Sequence, residues 1–194
     1  MTGPAAGPDG QLRCPWGLNP GDYLAYHDEE WGRPVRDDTA MFERLSLEAF
    51  QSGLSWLTIL RKRENFRAAF RGFDPQVVAE FGPDDEARLL ADAGIVRNRA
   101  KISAAIANAR AALDLPGGLA ATVWAYAAEP GTVVAPVTLG DIPASTPASR
   151  ALSAHLRKHG FRFTGPVTAY AMMQACGVVD DHLAGCFCRG AGQA

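Results

Sequence analysis

The chain has no long hydrophobic run. Its longest weakly polar stretch, Pro166 to Val179, is too short to cross a bilayer and holds Thr168 and Gln174, so no membrane span is expected. Met1 to Gly10 has neither a basic start nor an apolar core, which argues against a secretory leader. Rich in Gly, Pro and Ala, residues 1–10 read as a disordered tail. Cysteine is scarce. Four in 194 residues, beside four histidines, do not make a disulfide scaffold. They favour metal binding or free thiols in a reducing compartment, so a cytoplasmic location is expected. Charge of one sign is also lacking: the net charge of −2 excludes a wholly basic nucleic-acid coat protein but leaves room for a local basic face. There is no internal repeat and no second composition regime. A single domain over 11–190 is expected, with a short tail at 191–194.

What is present is helical periodicity, and the fold class it points to is all-α. Asp37 or Asp38 can cap a helix reaching about Ser52, with Met41 and Leu45 on one stripe. Asn65 opens a short segment that Gly72 and Pro75 end. Pro83 before Asp84-Asp85-Glu86 is a helix start, because proline suits the first position and acids suit the N-terminal dipole. Arg99 to Leu115 reads as a long helix and Leu119 to Ala128 as another. Gly131 to Thr146 reads as an extended connection or short ribbon. Thr146-Pro147 starts a helix that ends at Gly160. A tight hairpin, Phe161 to Pro166, then leads into a further helix ending near Cys176.

The two ends of the chain carry Cys14, His27, His182 and Cys186, ligand types that tetrahedral zinc accepts. The four-residue spacing of His182 and Cys186 would place them on one helix face. Spacing leaves an alternative open, in which the thiols are small buried hydrophobes and the histidines are satisfied core or surface groups. Cys176 and Cys188 are rival ligands; Cys188 lies six residues beyond His182 and on a different side of a helix, which makes it the weaker one.

Basic residues fall into three clusters: Arg61 to Arg71, then Arg97, Arg99 and Lys101, then Arg157 to Arg162. Each could be an ordinary solvated helix face. The hairpin at Phe161 to Pro166 would expose backbone N–H groups at a helix start, suited to a phosphate but not to reading a base sequence; an ordinary packed αα-hairpin is the alternative.

Several separated motifs, in order, resemble the 3-methyladenine DNA glycosylase I family, a divergent branch of the helix-hairpin-helix glycosylases. They are Cys14-Pro15-Trp16, the segment Tyr26-His27-Asp28-Glu29-Glu30-Trp31-Gly32, Leu47 to Trp56 with Arg61 to Arg67, and the closing Met173-Gln174-Ala175-Cys176-Gly177 with Asp181-His182 and Gly185-Cys186. The resemblance runs from about Cys14 to Cys188. It implies a helix-hairpin-helix glycosylase fold with one structural zinc at Cys14, His27, His182 and Cys186, joining the N- and C-terminal segments. Four protein ligands would leave no open position for a catalytic water. It implies that Glu48 is the catalytic, base-recognising carboxylate and that Trp56 is the stacking wall, with Trp16, Tyr23, Tyr26 and Trp31 as further lining. On a helical wheel Glu48 lies at the edge of the Met41–Leu45 stripe, while pattern alone would leave it on the surface. DNA contacts are implied for Gly53 and Leu54, a wedge into the base stack; for Arg97, Arg99 and Lys101, on a second backbone-contacting loop; and for Phe163, Thr164 and Gly165 in the hairpin.

The function implied is flipping and hydrolytic release of 3-methyladenine from alkylated double-stranded DNA, leaving an abasic site, by a monomer with no membrane partner. A zinc-stabilised, non-catalytic DNA-binding protein and a glycosylase for another alkylated purine are the competing readings. No lysine is placed for Schiff-base chemistry, so strand cleavage is not expected. Asp180 stands where the wider superfamily carries a catalytic Asp, and is read instead as an N-terminal cap beside a zinc-bearing helix.

Overall fold

A computed structural model describes residues 2–129, 132 and 134–191. Pro130, Gly131 and Val133, and all but Ala191 of the expected C-terminal tail, lie outside that set. The chain opens with a two-stranded antiparallel ribbon, β1 (Ala5–Ala6) and β2 (Leu12–Arg13), which pairs Ala5 with Arg13 and Ala6 with Leu12. Residues 1–10 read from the sequence as a disordered tail, and 11–13 as the start of an all-α domain. The segment is ordered because partners hold it: Arg13 is tied to Asp9 at 2.6 Å, and Leu139 N–H donates to Thr2 O at 3.2 Å.

The rest is helical. A short α1 (Asp22–Ala25) runs on into one wide turn over Tyr26–Glu30, in which Trp31 N–H donates five residues back to Tyr26 O at 2.8 Å. Such a turn re-aims side chains. Here it sends two successive residues, Tyr26 and His27, to different places. Helix α2 (Asp38–Gln51) starts where the Asp37 side chain accepts from Ala40 N–H at 2.8 Å. It buries Met41, Phe42, Leu45, Leu47 and Phe50, and Glu48 goes inward with them.

Helix α3 (Trp56–Ala69) begins nine residues before the expected start at Asn65. Ser55 caps it, accepting from Thr58 N–H. Only Ile59, Phe66 and Ala69 are buried along it, so the charged run Arg61-Lys62-Arg63 hid its period. Then come α4 (Pro75–Ala79), α5 (Pro83–Ala91), α6 (Arg99–Leu113) and α7 (Gly118–Trp124). Helix α6 is capped by Asn98 and rich in alanine, which lets α4 pack closely on it. The expected ribbon near 131–146 contains no strand among its described residues, only a single turn at Leu139–Asp141.

Helices α8 (Pro147–Lys158) and α9 (Pro166–Ala175) pack together across the hairpin. One core of Phe42, Phe50, Phe66, Phe70 and Phe73 with the inner faces of α2 and α6 to α9 supports all of these elements. The stretch Asp181–Cys186 is not a helix. It is a loop with a turn at Ala184–Gly185, so no helix face presents His182 and Cys186. Its backbone donors are spent elsewhere: Leu183 N–H points to Cys14 Sγ at 3.3 Å and His182 N–H to Asp180 at 3.1 Å.

Candidate active site

A cavity of about 400 Å³ opens between α2, the start of α3, the wide turn and α9. Trp16, Tyr23, Tyr26, Trp31, Glu48 and Trp56 all line it. The rings brace one another. Trp16 meets Trp31 at 4.9 Å and Tyr23 at 5.9 Å, both edge-on, and Tyr26 tilts against Trp56 at 5.4 Å. Glu48 sits in this apolar wall at 6% exposure, with no hydrogen-bond partner among the described residues. Burial pushes its carboxyl up to about 8, and Arg44 one turn earlier only partly opposes this. Burial, with the Glu48 charge beside it, likewise raises Tyr26 well above the ordinary phenol range. The site therefore holds an acid that gains from any cation brought against it.

Behind the wall lies a second cluster. His27, His182, Cys186 and Cys188 are buried, with donor atoms all within 4.8 Å of one another. Both imidazoles are oriented by carboxylates: Nδ1 of His27 is 2.7 Å from Asp28 and Nδ1 of His182 is 2.9 Å from Asp180. This is the arrangement that leaves Nε2 free for a metal. His182 Nε2 is buried without a partner among the described residues, and His27 Nε2 faces Cys186 Sγ at 3.6 Å. Cys188 instead approaches His27 Nδ1 at 3.9 Å, the nitrogen already held by Asp28. Cys14 packs with Leu183, Cys186 and Cys188 but is not among the four donors that lie within 4.8 Å of one another, where Cys188 stands instead; the neighbouring thiols lower Cys186 and, with burial, raise Cys14. Backbone is cut close around both rings. A Cβ on Gly17 would stand 2.6 Å from His27, and one on Gly32, at φ +78°, 2.5 Å from His182. The donor set, the orphaned Nε2 and the glycine cradles fit a tetrahedral metal. The cluster touches the cavity through Trp16, 5.1 Å from His27, and Trp31, 4.7 Å from His182.

Across these features, a family model described as methyladenine glycosylase matches residues 16–189. The chain belongs to the methyladenine glycosylase family. DNA-3-methyladenine glycosylase 1 of Escherichia coli (strain K12) is 48% identical over 179 residues, spanning 91% of this chain and 96% of that protein. A crystal structure of 3-methyladenine DNA glycosylase I superposes with a TM-score of 0.86 at 47% identity, covering 91% of this chain and 99% of that one. A variant of 3-methyladenine DNA glycosylase I in complex with 3-methyladenine also superposes at 0.86, with 34% identity over 91% of this chain and 97% of that one.

Within this methyladenine glycosylase the expected DNA-facing residues divide. Leu54 is 40% exposed on the α2–α3 turn beside Gly53, between Gln51 and Trp56 of the cavity. Arg97 and Arg99 are exposed at the start of α6. Lys101 is the exception. It is buried, and its Nζ donates to Phe50 O at 2.8 Å and Ser52 O at 2.6 Å, so it caps the end of α2 and cannot grip a phosphate. In the hairpin Phe163 is 39% exposed at φ +56°, Gly165 precedes α9, and the Thr164 side chain is buried, leaving only its backbone for a ligand.

The Arg61–Arg71 cluster is largely consumed by ion pairs: Arg61 with Asp22, Arg63 with Glu30, Arg67 with Glu43 and Glu64. Asp180 caps no helix. It orients His182 and accepts from Gly190 N–H at 2.9 Å. Gln51, Leu139, Ile142, Ala171 and Gln174 also line the cavity. Gln51, three residues from Glu48 on one helix face, could have been found from spacing. Leu139 and Ile142 come from an irregular stretch that carries no periodic signal.

Proposed function

We propose that this chain is a monofunctional DNA-3-methyladenine glycosylase, releasing the damaged base from alkylated duplex DNA. The observation that carries the reading is Glu48: a buried carboxyl at the cavity wall, without a hydrogen-bond partner among the described residues and set among aromatic faces, is costly unless a cationic, hydrogen-bond-donating ring completes it. 3-Methyladenine in DNA is such a ring. The nucleotide swings out of the stack, which costs a few kcal/mol, less for a damaged base. Leu54 fills the gap. Trp56 and Trp16 lie against the cationic face, worth about 0.5–2 kcal/mol, and Glu48 accepts from the exocyclic amine. Heterolysis of the glycosidic bond sends its electron pair onto the ring, so the base leaves neutral. Water then adds to the oxocarbenium-like sugar carbon and loses a proton to solvent, giving an abasic site.

The sugar–phosphate chain would run over the backbone of Phe163 to Gly165 and past Arg97 and Arg99. One zinc held by Cys14, His27, His182 and Cys186 would act structurally, fixing the histidines that back Trp16 and Trp31. Cys188 would stay a neighbour, because it meets the wrong nitrogen of His27. A monomer acting in the cytoplasm suits the four buried free thiols. A hairpin module that only bound DNA would have no use for Glu48. Chromatography of bases freed from methylated duplex DNA tests the reading. 3-Methyladenine should appear with the wild-type chain and fall sharply with Glu48→Gln; no free base, or a product dominated by 7-methylguanine, would overturn it.

A further inference from the structure

Gln174 lines the cavity from α9, and its amide is not free to turn. Its Nε2 donates to Asp181 Oδ2 at 2.8 Å, and Tyr170 hydroxyl donates to that same oxygen at 2.5 Å. Asp181 is 5% exposed and Tyr170 is 4% exposed, so the pair is sheltered from competing water. A carboxylate oxygen already taking a hydroxyl proton acts as an acceptor, and only the amino end of the Gln174 amide can face it. The carbonyl end, Oε1, is then the one left for the cavity. No donor from the described residues engages it.

We infer that Gln174 is a specificity-determining residue: Asp181 and Tyr170 lock its amide so that Oε1, together with Glu48, accepts from the amine edge of a methylated adenine and opposes the oxo edge of a methylated guanine. This rests on the glycosylase reading and goes beyond it, since it names what the pocket refuses. Adenine carries an exocyclic amine where guanine carries an oxygen. Two acceptors facing that edge meet donors in one case and a lone pair in the other. An unmade hydrogen bond in a dry site is where discrimination arises.

The experiment uses the full chain and duplex DNA methylated at ring nitrogen 3 of both purines, and reads the ratio of initial rates for release of 3-methyladenine and 3-methylguanine. Gln174→Met keeps the volume and removes the acceptor. Its ratio should fall roughly fivefold, the equivalent of one neutral hydrogen bond. Asp181→Asn replaces one carboxylate oxygen by an amino donor and removes the charge, which lets the Gln174 amide reverse, so its ratio should fall in the same direction. Tyr170→Phe, the milder variant if Asp181→Asn folds poorly, should give a smaller drop in the same direction. A wild-type chain that releases 3-methyladenine while Gln174→Met leaves the ratio unchanged would overturn this inference alone. A wild-type chain that releases neither base would overturn the pocket reading and this inference with it.

Discussion

An acid sealed among indole rings gives up its proton late. Glu48 is raised from an ordinary 4.5 to about 8 by burial, so its contribution to stability is complete below about pH 4.5, declines as pH rises towards 8, and is gone above that. Glu48→Gln removes the decline. The gain in unfolding free energy of the variant over wild type, measured by denaturant titration, should be larger near about pH 9 than near about pH 5, by an amount on the order of a few kcal/mol. Activity runs the other way. The carboxylate is the form that complements a cationic base, so kcat/KM should climb with pH to a plateau above about 8, and Glu48→Gln should flatten that profile while lowering it roughly ten- to hundredfold. A flat wild-type profile would separate Glu48 from the chemistry. Close packing makes a second residue-scale prediction. Gly32→Ala would put a methyl 2.5 Å from the His182 ring at a φ of +78°, so the variant should lose bound metal, measured by atomic absorption, even where it still folds.

At the scale of elements, the end of α2 matters most, because that helix carries Glu48 and Gln51 and hands the chain to the Leu54 turn. Lys101 reaches from α6 to bind the carbonyls of Phe50 and Ser52, which α2 leaves open at its C-terminus. Lys101→Met should cost about 1–3 kcal/mol in denaturant unfolding, since one buried and one part-buried carbonyl lose their donor. It should also misplace the turn. Combined with Leu54→Ala, the loss in base release from duplex DNA should fall short of the product of the single losses, as expected when one residue acts through the other. Additive losses would mean that Lys101 only stabilises. The basic spacing Arg97, Arg99, Lys101 looked uniform in the sequence. Only packing separates two exposed arginines from one buried lysine, because the α6 face turned towards α2 is set by tertiary contacts. For the same reason the i, i+4 spacing of His182 and Cys186 suggested a helix that is not there. Loop donors satisfied by Cys14 and Asp180 offered the backbone another solution.

At the scale of the molecule, Cys14 packs with Cys186, and Cys186 Sγ stands 3.6 Å from His27 Nε2, so the thiol–imidazole cluster joins the two ends of the chain. A metal there would constrain a loop of nearly the whole length, and its loss should be felt as lost stability. Cys14→Ser should lower both metal content and stability, the latter by a few kcal/mol, seen as a fall in melting temperature on the order of 10 °C at this size. Cys188→Ser should change both far less. Equal effects of the two substitutions would mean that Cys188 is the ligand. Base binding should weaken along with the metal, because Trp16 and Trp31 rest on the two histidines.

Much of this was legible in the residues alone. Caps and breakers such as Asp37, Pro83 and Thr146 placed most helices, because they act on the backbone within a turn of where they stand. The six cavity residues and the order of the motifs were legible through resemblance, since side-chain identity is what a pocket selects. What only the tertiary structure decided are matters of direction and partner: that Glu48 faces inward without a hydrogen bond, that Lys101 serves a helix end, that Asp180 and Asp28 aim imidazoles, and that Asp181 fixes the amide of Gln174. A sequence lists the groups that can donate and accept, whereas which ones meet depends on contacts between residues far apart in the chain.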